Sequence, residues 1–398
     1  MAVYSLAISE SDTLVRQAEA QGILLVSRAQ LLGAIMSPYP TRVAVSGSHG
    51  KSTTTAIVEH ILAVAGRAHT AISGATLFSG SAYFDGGGEV VVAEACEYRD
   101  SFLSLCPTHQ IVTSVALDHT DYFPSLEAVR RSFLRALNST HTAIINLDDE
   151  VAASIRAELL GAKIDTLPGE NGKNDKKQEK TVLTYGKSRG AEYRIHTVTK
   201  DGSLTRFVIT HKGDSYTLTT PLIGEFNIYN ITAAVALADS LGIARESIEA
   251  AVESFYGVER RQSLLGYIGE SAVYYDYAHH PDEIRSLISA LKERYGTLTL
   301  VFRPHTYSRT KSLWSEFIAA LSLADGVILL DVYPARESPL DGVTSQRLAE
   351  CIDGAIYCHD AKEAAELAAA RRHGAIALVG AGEVEEVKSR LVEKIKHG

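Results

Sequence analysis

The residues with the clearest chemical potential follow the short apolar segment Arg42–Val45. Two glycines there are followed directly by a lysine, hydroxyl side chains and a helix-forming stretch. This order is typical of a phosphate-binding loop, because the N–H groups of a helix N-terminus point at the anion and the helix dipole favours negative charge. We therefore predict a nucleoside triphosphate site made of Gly47, Ser48, His49, Gly50, Lys51, Ser52 and Thr53.

Within this loop, Lys51 is placed to reach the β- and γ-phosphates and Ser52 to hold a magnesium ion. The loop is shorter than the general pattern, which has a glycine where this chain has Val45. A plain glycine turn between a strand and a helix is the alternative interpretation.

Charged side chains follow two further apolar segments. Glu94 ends the run Val90–Ala93, and His119 follows the run Ile111–Val115 after a short polar connection. In a parallel sheet both ends lie beside the phosphate loop, where a carboxylate and an imidazole are suitable ligands for Mg²⁺. The alternative is that both are solvated residues at strand ends.

Several other polar residues stand next to predicted strand or helix ends. Asn227 and Asn230 precede an alanine-rich helix, and their amides could read an adenine edge or cap that helix. Arg260 and Arg261 follow the central region, where one of them could move onto a phosphate. The alternative is a surface pair of arginines.

The last third of the chain has two polar clusters, each directly after an apolar segment: Asp276–Pro281 and Arg303–Thr310. Because His279 and His280 are adjacent and no third ligand is suitably spaced, a zinc site is disfavoured. A site for a small carboxylate or a ribose fits these residues better.

Length and composition limit the class of protein. The chain has 398 residues, 45% of them hydrophobic and 22% charged, with a formal net charge of −9. These values predict a globular protein with two or three domains and disfavour a general nucleic-acid surface. No apolar run is long enough to span a bilayer, and the first ten residues lack the features of a signal peptide, so we expect a cytoplasmic location without a membrane partner.

The order of predicted elements gives the fold class. Apolar strands alternate with helices after residue 40, which predicts mostly parallel α/β sheets. A β-meander is expected near residues 193–219, and a second strand–helix series occupies the C-terminal part. We predict three regions: 1–40, 41–257 with the phosphate loop, and 258–398.

Taken together, these motifs resemble the Mur ligases, in particular their L-alanine-adding branch. The similar segments begin at Ser46, Glu94, Leu117, Asp276, Pro304 and Gly380. The resemblance implies a three-domain architecture: a partial Rossmann-like N-terminal domain, a central ATPase domain with a parallel sheet and a meander, and a Rossmann-like C-terminal domain. It also implies ATP and Mg²⁺ as cofactors, and UDP-N-acetylmuramate and L-alanine as substrates joined through an acyl phosphate.

The resemblance also assigns roles to individual residues. It places Ser52, Glu94 and His119 on the metal, Asn227 and Asn230 near the adenine, and Asp276 near the ribose. It places Arg260 or Arg261 near the phosphates. Lys51, His119, Arg260, Arg261 and His279 are the expected catalytic residues, and the incoming amino acid would be held by Tyr277, His279 and Arg309.

This chain departs from the family pattern in several places. Residues 1–40 resemble only the second half of the family's UDP-binding domain, whose glycine-rich turn is absent here. Ser114 and Ala116 replace an asparagine and an acidic residue, and Phe226 replaces a histidine. Two alternatives therefore stay open: a ligase of the same chemistry with another acceptor, such as a recycled muropeptide or a non-nucleotide acid, and a catalytically inactive nucleotide-binding scaffold. The oligomeric state is not predicted.

Overall fold

The computed structural model of the chain describes residues 1–9, 11–77, 80–120, 122–161, 180–201, 204–371, 373–380 and 384–397. Asp121 and residues 381–383, which belong to two of the motifs above, lie outside them. The chain divides into two compact units: Met1–Pro221 with Asn227–Tyr256, and Leu222–Phe226 with Gly257–Gly398. Among the described helices, none combines the length and the apolar character needed to cross a bilayer.

Elements before residue 257 alternate between strand and helix along most of their length. In chain order they are β1 (Ala2–Tyr4), α1 (Thr13–Ala20), β2 (Leu25–Ser27), α2 (Arg28–Met36), β3 (Thr41–Ser46), α3 (Lys51–Val64), β4 (His69–Ile72), β5 (Tyr83–Asp85), β6 (Val90–Glu94), a 3-10 helix (Tyr98–Ser104), β7 (His109–Val112), α4 (Leu126–Asn138), β8 (Thr142–Asn146), α5 (Glu150–Gly161), β9 (Thr181–Gly186), β10 (Tyr193–Asp201), β11 (Leu204–His211), β12 (Asp214–Thr220), α6 (Glu225–Ser240) and α7 (Arg245–Ser254).

A large sheet organises the first unit. Its described strands run in the order β12-β11-β10-β9-β8-β7-β3-β6-β4-β5, and the strands from β10 to β4 are parallel. The central strands carry apolar side chains on both faces, as a sheet covered by helices on both sides requires. Val43, Val91 and Ile111 are accordingly fully buried. The strand that leads into the phosphate loop, β3, therefore lies between β6 and β7.

The predicted β-meander is present. Strands β10, β11 and β12 pair antiparallel in sequence order. They continue the large sheet through β9, because β9 and β10 pair in parallel. The helix after the phosphate loop, α3, begins at Lys51, and β7 ends at Val112 although its apolar run continues to Val115. Thr113 and Ser114, which follow the end of β7, bind the phosphate loop instead, as described below.

The first forty residues pack on the large sheet's unit. Ser27 and Gln30 form a capping box that starts α2. Met36, at the end of that helix, is fully buried in the same apolar cluster as Phe102 of the 3-10 helix. The division of the chain at residue 40 stays a prediction.

The second unit repeats strand and helix. Its elements in chain order are β13 (Ser263–Ile268), β14 (Ser271–Asp276), α8 (Pro281–Tyr295), β15 (Leu298–Phe302), α9 (Tyr307–Ser312), α10 (Trp314–Leu321), β16 (Gly326–Leu329), α11 (Ser345–Glu350), β17 (Ile356–Tyr357), α12 (Ala361–Ala369), β18 (Ala375–Val379) and α13 (Glu385–His397).

The sheet of the second unit has the order β13-β14-β18-β15-β16-β17, and only the β13–β14 pairing among these described strands is antiparallel. Strands β14, β15 and β18 are buried along their whole length. Ligands of such sheets bind at the carboxyl ends of the parallel strands, where Asp276 and Arg303 leave β14 and β15.

Gly33 gives a test of the packing between α2 and the 3-10 helix. A Cβ atom at Gly33 would lie 2.0 Å from the backbone oxygen of Ser104, whereas one at Gly161 would meet nothing within 4 Å. We expect Gly33→Ala to lower the free energy of unfolding by about 2 kcal/mol, because backbone atoms must move to admit the methyl group. Urea unfolding measures the change. Gly161→Ala is the control, and equal stabilities of the two variants would contradict the packing.

Candidate functional site

The phosphate loop is a tight connection between β3 and α3. Gly47 and Gly50 have φ angles of 139° and 83°, which favour glycine. A Cβ at Gly47 would lie 2.0 Å from the Oγ1 atom of Thr113, and a Cβ at Gly50 would lie 2.5 Å from the Oδ1 atom of Asn230. Both positions therefore require glycine, because of their backbone conformation and because no Cβ atom fits there. This favours a phosphate-binding loop over a plain glycine turn.

Residues that follow β7 hold the loop in place. The N–H of Ser48 donates to the carbonyl oxygen of Ser114 (2.9 Å), and its hydroxyl accepts from the N–H of Ala116 (2.8 Å). The N–H of His49 donates to the Ser114 hydroxyl (3.1 Å), and Thr113 donates its hydroxyl hydrogen to the His49 carbonyl oxygen (2.5 Å). Ser114 and Ala116, which depart from the family pattern, thus support the loop.

Lys51 is folded back onto its own loop. Its ammonium donates to the carbonyl oxygens of Gly47 (2.5 Å) and Ser48 (3.2 Å) and to the carboxylate of Glu97 (3.1 Å). The Lys51 and Glu97 side chains are 15% and 2% exposed. Burial disfavours the charged ammonium, but the charges of Glu97 and Glu94 outweigh it and raise the pKa of Lys51 above its ordinary value.

Glu94 lies at the end of β6 and binds the segment after β4. Its carboxylate accepts hydrogen bonds from the N–H of Gly74 (2.8 Å) and the hydroxyl of Ser73 (3.2 Å). The side chain of Ser52 is buried in the first turn of α3, and Thr53 follows it. The charge of Glu94 acts on Lys51, so Glu94 lies close to the phosphate loop. Its carboxylate oxygens have the donor chemistry that Mg²⁺ prefers.

His119 belongs to the loop between β7 and α4. Its ring packs on Tyr98 at a centroid distance of 4.7 Å. The backbone N–H of His119 donates to the carboxylate of Asp118 (2.7 Å). Among the described residues, Glu94 and His119 belong to no group of three His, Cys, Asp or Glu side chains whose ligand atoms lie within 4.8 Å of one another. Their joint role on a metal stays a prediction.

Asn227 and Asn230 lie inside α6, which begins at Glu225, and not before the helix as expected, and both are buried. The Nδ2 atom of Asn230 donates to Oδ1 of Asn227 (3.3 Å), and Asn230 approaches Gly50 as described above. The structure thus brings Asn230 to the phosphate loop. An adenine-reading role for the two amides stays a prediction.

A strained corner lies between Glu97 and His119. Arg99 and Asp100 both have positive φ angles, 50° and 58°. The Asp100 carboxylate accepts hydrogen bonds from the hydroxyls of Ser132 and Tyr122 and from Arg135. These bonds stabilise a backbone conformation that residues other than glycine rarely adopt. They thereby fix the residues just before the corner.

In the second unit, Asp276 is a buried carboxylate at the end of β14. It is 7% exposed and accepts hydrogen bonds from the N–H groups of Gln262 and Ala278, both at 2.7 Å. Burial raises the pKa of Asp276 to about 6, although Arg261 and the two hydrogen bonds act in the opposite direction. This carboxylate can accept a hydrogen bond from a ligand hydroxyl at neutral pH.

Arg260 and Arg261 stand next to the same strand. The guanidinium of Arg260 lies over the rings of Tyr275 (5.2 Å) and Tyr277 (4.9 Å), and that of Arg261 lies over Tyr277 (5.0 Å). Arg260 has a φ of 62°, and its carbonyl oxygen accepts a hydrogen bond from the N–H of Tyr277. The two cations are therefore held by aromatic faces close to Asp276, which argues against a loose surface pair.

The residues after β14 and β15 meet at the sheet edge. The ring of His279 lies 5.4 Å from Tyr277 and 5.9 Å from His305, and the His305 ring stacks on Tyr333 at 5.7 Å. A guanidinium nitrogen of Arg309 lies 3.3 Å from Nδ1 of His305. Burial, with the charge of Arg309, lowers the pKa of His305 to about 4, so this imidazole is neutral at neutral pH.

His279 is fixed by the start of α8. Its Nδ1 atom lies 3.0 Å from the carbonyl oxygen of Tyr277, which can only accept, so Nδ1 carries the hydrogen. Its backbone N–H donates to Glu283, which also caps the helix together with His280. The structure thus brings Tyr277, His279 and Arg309 into one cluster through His305.

Sequence reasoning assigned no role to Glu97, Thr113, His305 or Tyr333. Glu97 lies in the family-like segment that begins at Glu94, but its contact with Lys51 depends on the turn into the 3-10 helix. The pairing of His305 with Tyr333 depends on a parallel bridge between separate loops. The available signal was a polar residue directly after a buried strand for Thr113, and a position three residues after a buried strand for His305.

The buried Asp276 predicts a pH effect on stability. Because its pKa is near 6 in the folded chain and 3.8 as the ordinary value, the folded state binds more protons between these pH values. The wild-type free energy of unfolding, relative to that of Asp276→Asn, should therefore fall by roughly 2 kcal/mol between pH 4 and pH 6.5 and then stay level. Urea titrations at several pH values measure this. A difference that is constant or rises with pH contradicts the burial argument.

Comparison with known proteins identifies the family. Residues 45–238 match the Mur ligase middle domain, and residues 260–382 match the glutamate ligase domain of Mur ligases. The UDP-N-acetylmuramate–L-alanine ligase of Caldicellulosiruptor saccharolyticus is 33% identical over 98% of this chain and 85% of its own length. The protein of the same name from Lachnospira eligens is 37% identical over 88% of this chain and 74% of its own length.

Solved structures confirm the predicted fold class. The UDP-N-acetylmuramate-alanine ligase MurC of Thermotoga maritima has a TM-score of 0.79 and 24% identity, covering 99% of this chain and 85% of its own. MurF ligase of Thermotoga maritima, solved in complex with ADP, has a TM-score of 0.71 and 17% identity, covering 99% and 95%. The family predicted from the loop and strand-end motifs is therefore confirmed: this chain belongs to the Mur ligases.

Proposed function

We propose that this chain is an ATP-dependent ligase that joins L-alanine to the carboxylate of UDP-N-acetylmuramate. The observation that carries the proposal is its similarity, over 98% of its length, to a protein named for that reaction. The loop geometry supports the nucleotide part of the proposal, because Gly47 and Gly50 shape an anion site at the start of α3. We also propose that the chain works in the cytoplasm, where ATP is available.

The first step would activate the sugar-linked carboxylate. A carboxylate oxygen attacks the γ-phosphorus of ATP, the bond from that phosphorus to its bridging oxygen breaks, and ADP leaves. Lys51 would leave the carbonyl oxygens of its loop and donate to the phosphates. Arg260 and Arg261 would add positive charge, which stabilises the spreading negative charge of phosphoryl transfer.

A magnesium ion fits the residues beside the loop. The hydroxyl of Ser52, the carboxylate of Glu94 and the imidazole of His119 would hold it. Two carboxylates already act on Lys51, so the region has an excess of hard oxygen donors and negative charge. When bound, the metal would neutralise phosphate charge during transfer.

The second step would form the amide. The amine nitrogen of L-alanine attacks the acyl carbon. The bond from that carbon to the bridging oxygen breaks, inorganic phosphate leaves with this oxygen, and the nitrogen loses a proton. Arg309 and Tyr277 would hold the amino acid, and His279, whose Nδ1 donates to the Tyr277 carbonyl oxygen, would direct Nε2 towards it. Asp276 would bind the ribose, and Asn227 and Asn230 would lie near the adenine.

Phosphate release tests the reaction. We expect release from ATP and Mg²⁺ only when UDP-N-acetylmuramate and L-alanine are both present, because neither partial reaction completes a cycle. Release that needs an amino acid but not the UDP-sugar would indicate another acceptor. Release that requires a murein peptide in place of L-alanine would indicate a recycling ligase. A chain that binds ADP but releases no phosphate would indicate a nucleotide-binding scaffold.

Lys51 provides a second test. We expect Lys51→Met to lower kcat at least about a hundredfold, since it removes a donor aimed at the developing phosphate charge. Lys292→Met is the matched control, because it removes the same charge from an exposed pair with Asp325 on the second unit. Thermal unfolding verifies that both variants fold. Near-wild-type turnover of folded Lys51→Met would refute the loop assignment.

A further inference from the structure

The Lys51–Glu97 ion pair lies at the position where a nucleotide phosphate is expected to bind. The two side chains form a buried ion pair at 3.1 Å, and Glu97 is almost fully removed from solvent. Breaking a buried pair leaves an uncompensated charge, which is strongly unfavourable. Lys51 must nevertheless leave this position to donate to a nucleotide. A cation has to take its place beside Glu97, or the carboxylate must stay buried and unpaired.

We propose that Glu97 is a positioning residue that exchanges cations during nucleotide binding. It holds Lys51 in the nucleotide-free chain, and its charge is balanced by the divalent cation once the phosphates draw Lys51 away. Glu97 thereby couples the binding of nucleotide to the binding of metal. This inference rests on the proposed function, because it requires the loop to bind a magnesium nucleotide.

The surroundings of Glu97 support the exchange. Glu94 also acts electrostatically on Lys51, so a second carboxylate is close to the position that Lys51 leaves. Lys51 lies in the first turn of α3, where the helix dipole makes a resident cation unfavourable and a bound anion favourable. Arg99 and Asp100, whose φ angles are positive, fix the turn just after Glu97. Moving the Glu97 carboxylate into solvent would require this turn to change, which is costly.

ADP binding with and without metal provides the test. Calorimetry gives the Kd of ADP for the full chain in excess EDTA and in Mg²⁺. In Glu97→Gln we expect ADP to bind about tenfold more tightly in EDTA, because no buried carboxylate competes for Lys51 or is left unpaired. The stimulation of binding by Mg²⁺ should fall by a similar factor.

Two further variants complete the design. Glu249→Gln removes the same charge from α7, where Glu249 binds Arg245, and should keep the wild-type ratio of affinities. Glu97→Asp draws the carboxylate back by one methylene, so its ratio should lie between those of the wild type and Glu97→Gln. This milder variant also decides the question if Glu97→Gln does not fold.

The outcomes separate the two proposals. Wild-type protein that binds no ADP in Mg²⁺ counts against the proposed function. Wild-type protein that binds ADP, with an unchanged ratio in folded Glu97→Gln and Glu97→Asp, overturns the cation exchange alone. A lower melting temperature with an unchanged ratio would show a purely structural role for Glu97 and would equally overturn the proposal.

Discussion

Burial of one positive charge is the constraint on which the first unit depends. Lys51 begins a helix, and its ammonium lies where the helix dipole favours an anion. Without a bound phosphate, the charge must be satisfied by the protein itself. Glu97 and the loop carbonyl oxygens supply that compensation. The loop, whose backbone is shaped for an anion, is therefore occupied by its own lysine, which Glu97 and the loop carbonyl oxygens hold in place.

The second unit has the opposite problem at the end of β14. Asp276 is buried, and Arg261 and two backbone N–H groups only partly offset the cost of its charge. The neighbouring arginines lie over tyrosine rings, which keeps their positive charge close to Asp276. Both units thus hold a buried charged group at the carboxyl end of parallel strands, the edge where ligands of this fold bind.

Sequence patterns were sufficient for the features that depend on local order. The loop between β3 and α3, the meander and the strands before Glu94 and Asp276 follow from glycine spacing and apolar runs. The end of β7 was placed three residues too late, because the apolar run continues to Val115 while Thr113 already binds the loop. The Lys51–Glu97 pair could not be predicted, since it depends on left-handed residues at Arg99 and Asp100 that no composition rule requires.

That left-handed corner explains how distant parts of the first unit act on the loop. Asp100 is bound by Ser132 and Arg135 of α4 and by Tyr122, which closely follows His119. Tyr98, one residue after Glu97, packs on the His119 ring. The same short segment therefore sets the carboxylate that holds Lys51 and the aromatic face that orients His119. Its strain is tolerated because α4 and the His119 loop both bind Asp100, and these two attachments hold the segment that contacts the lysine and the imidazole.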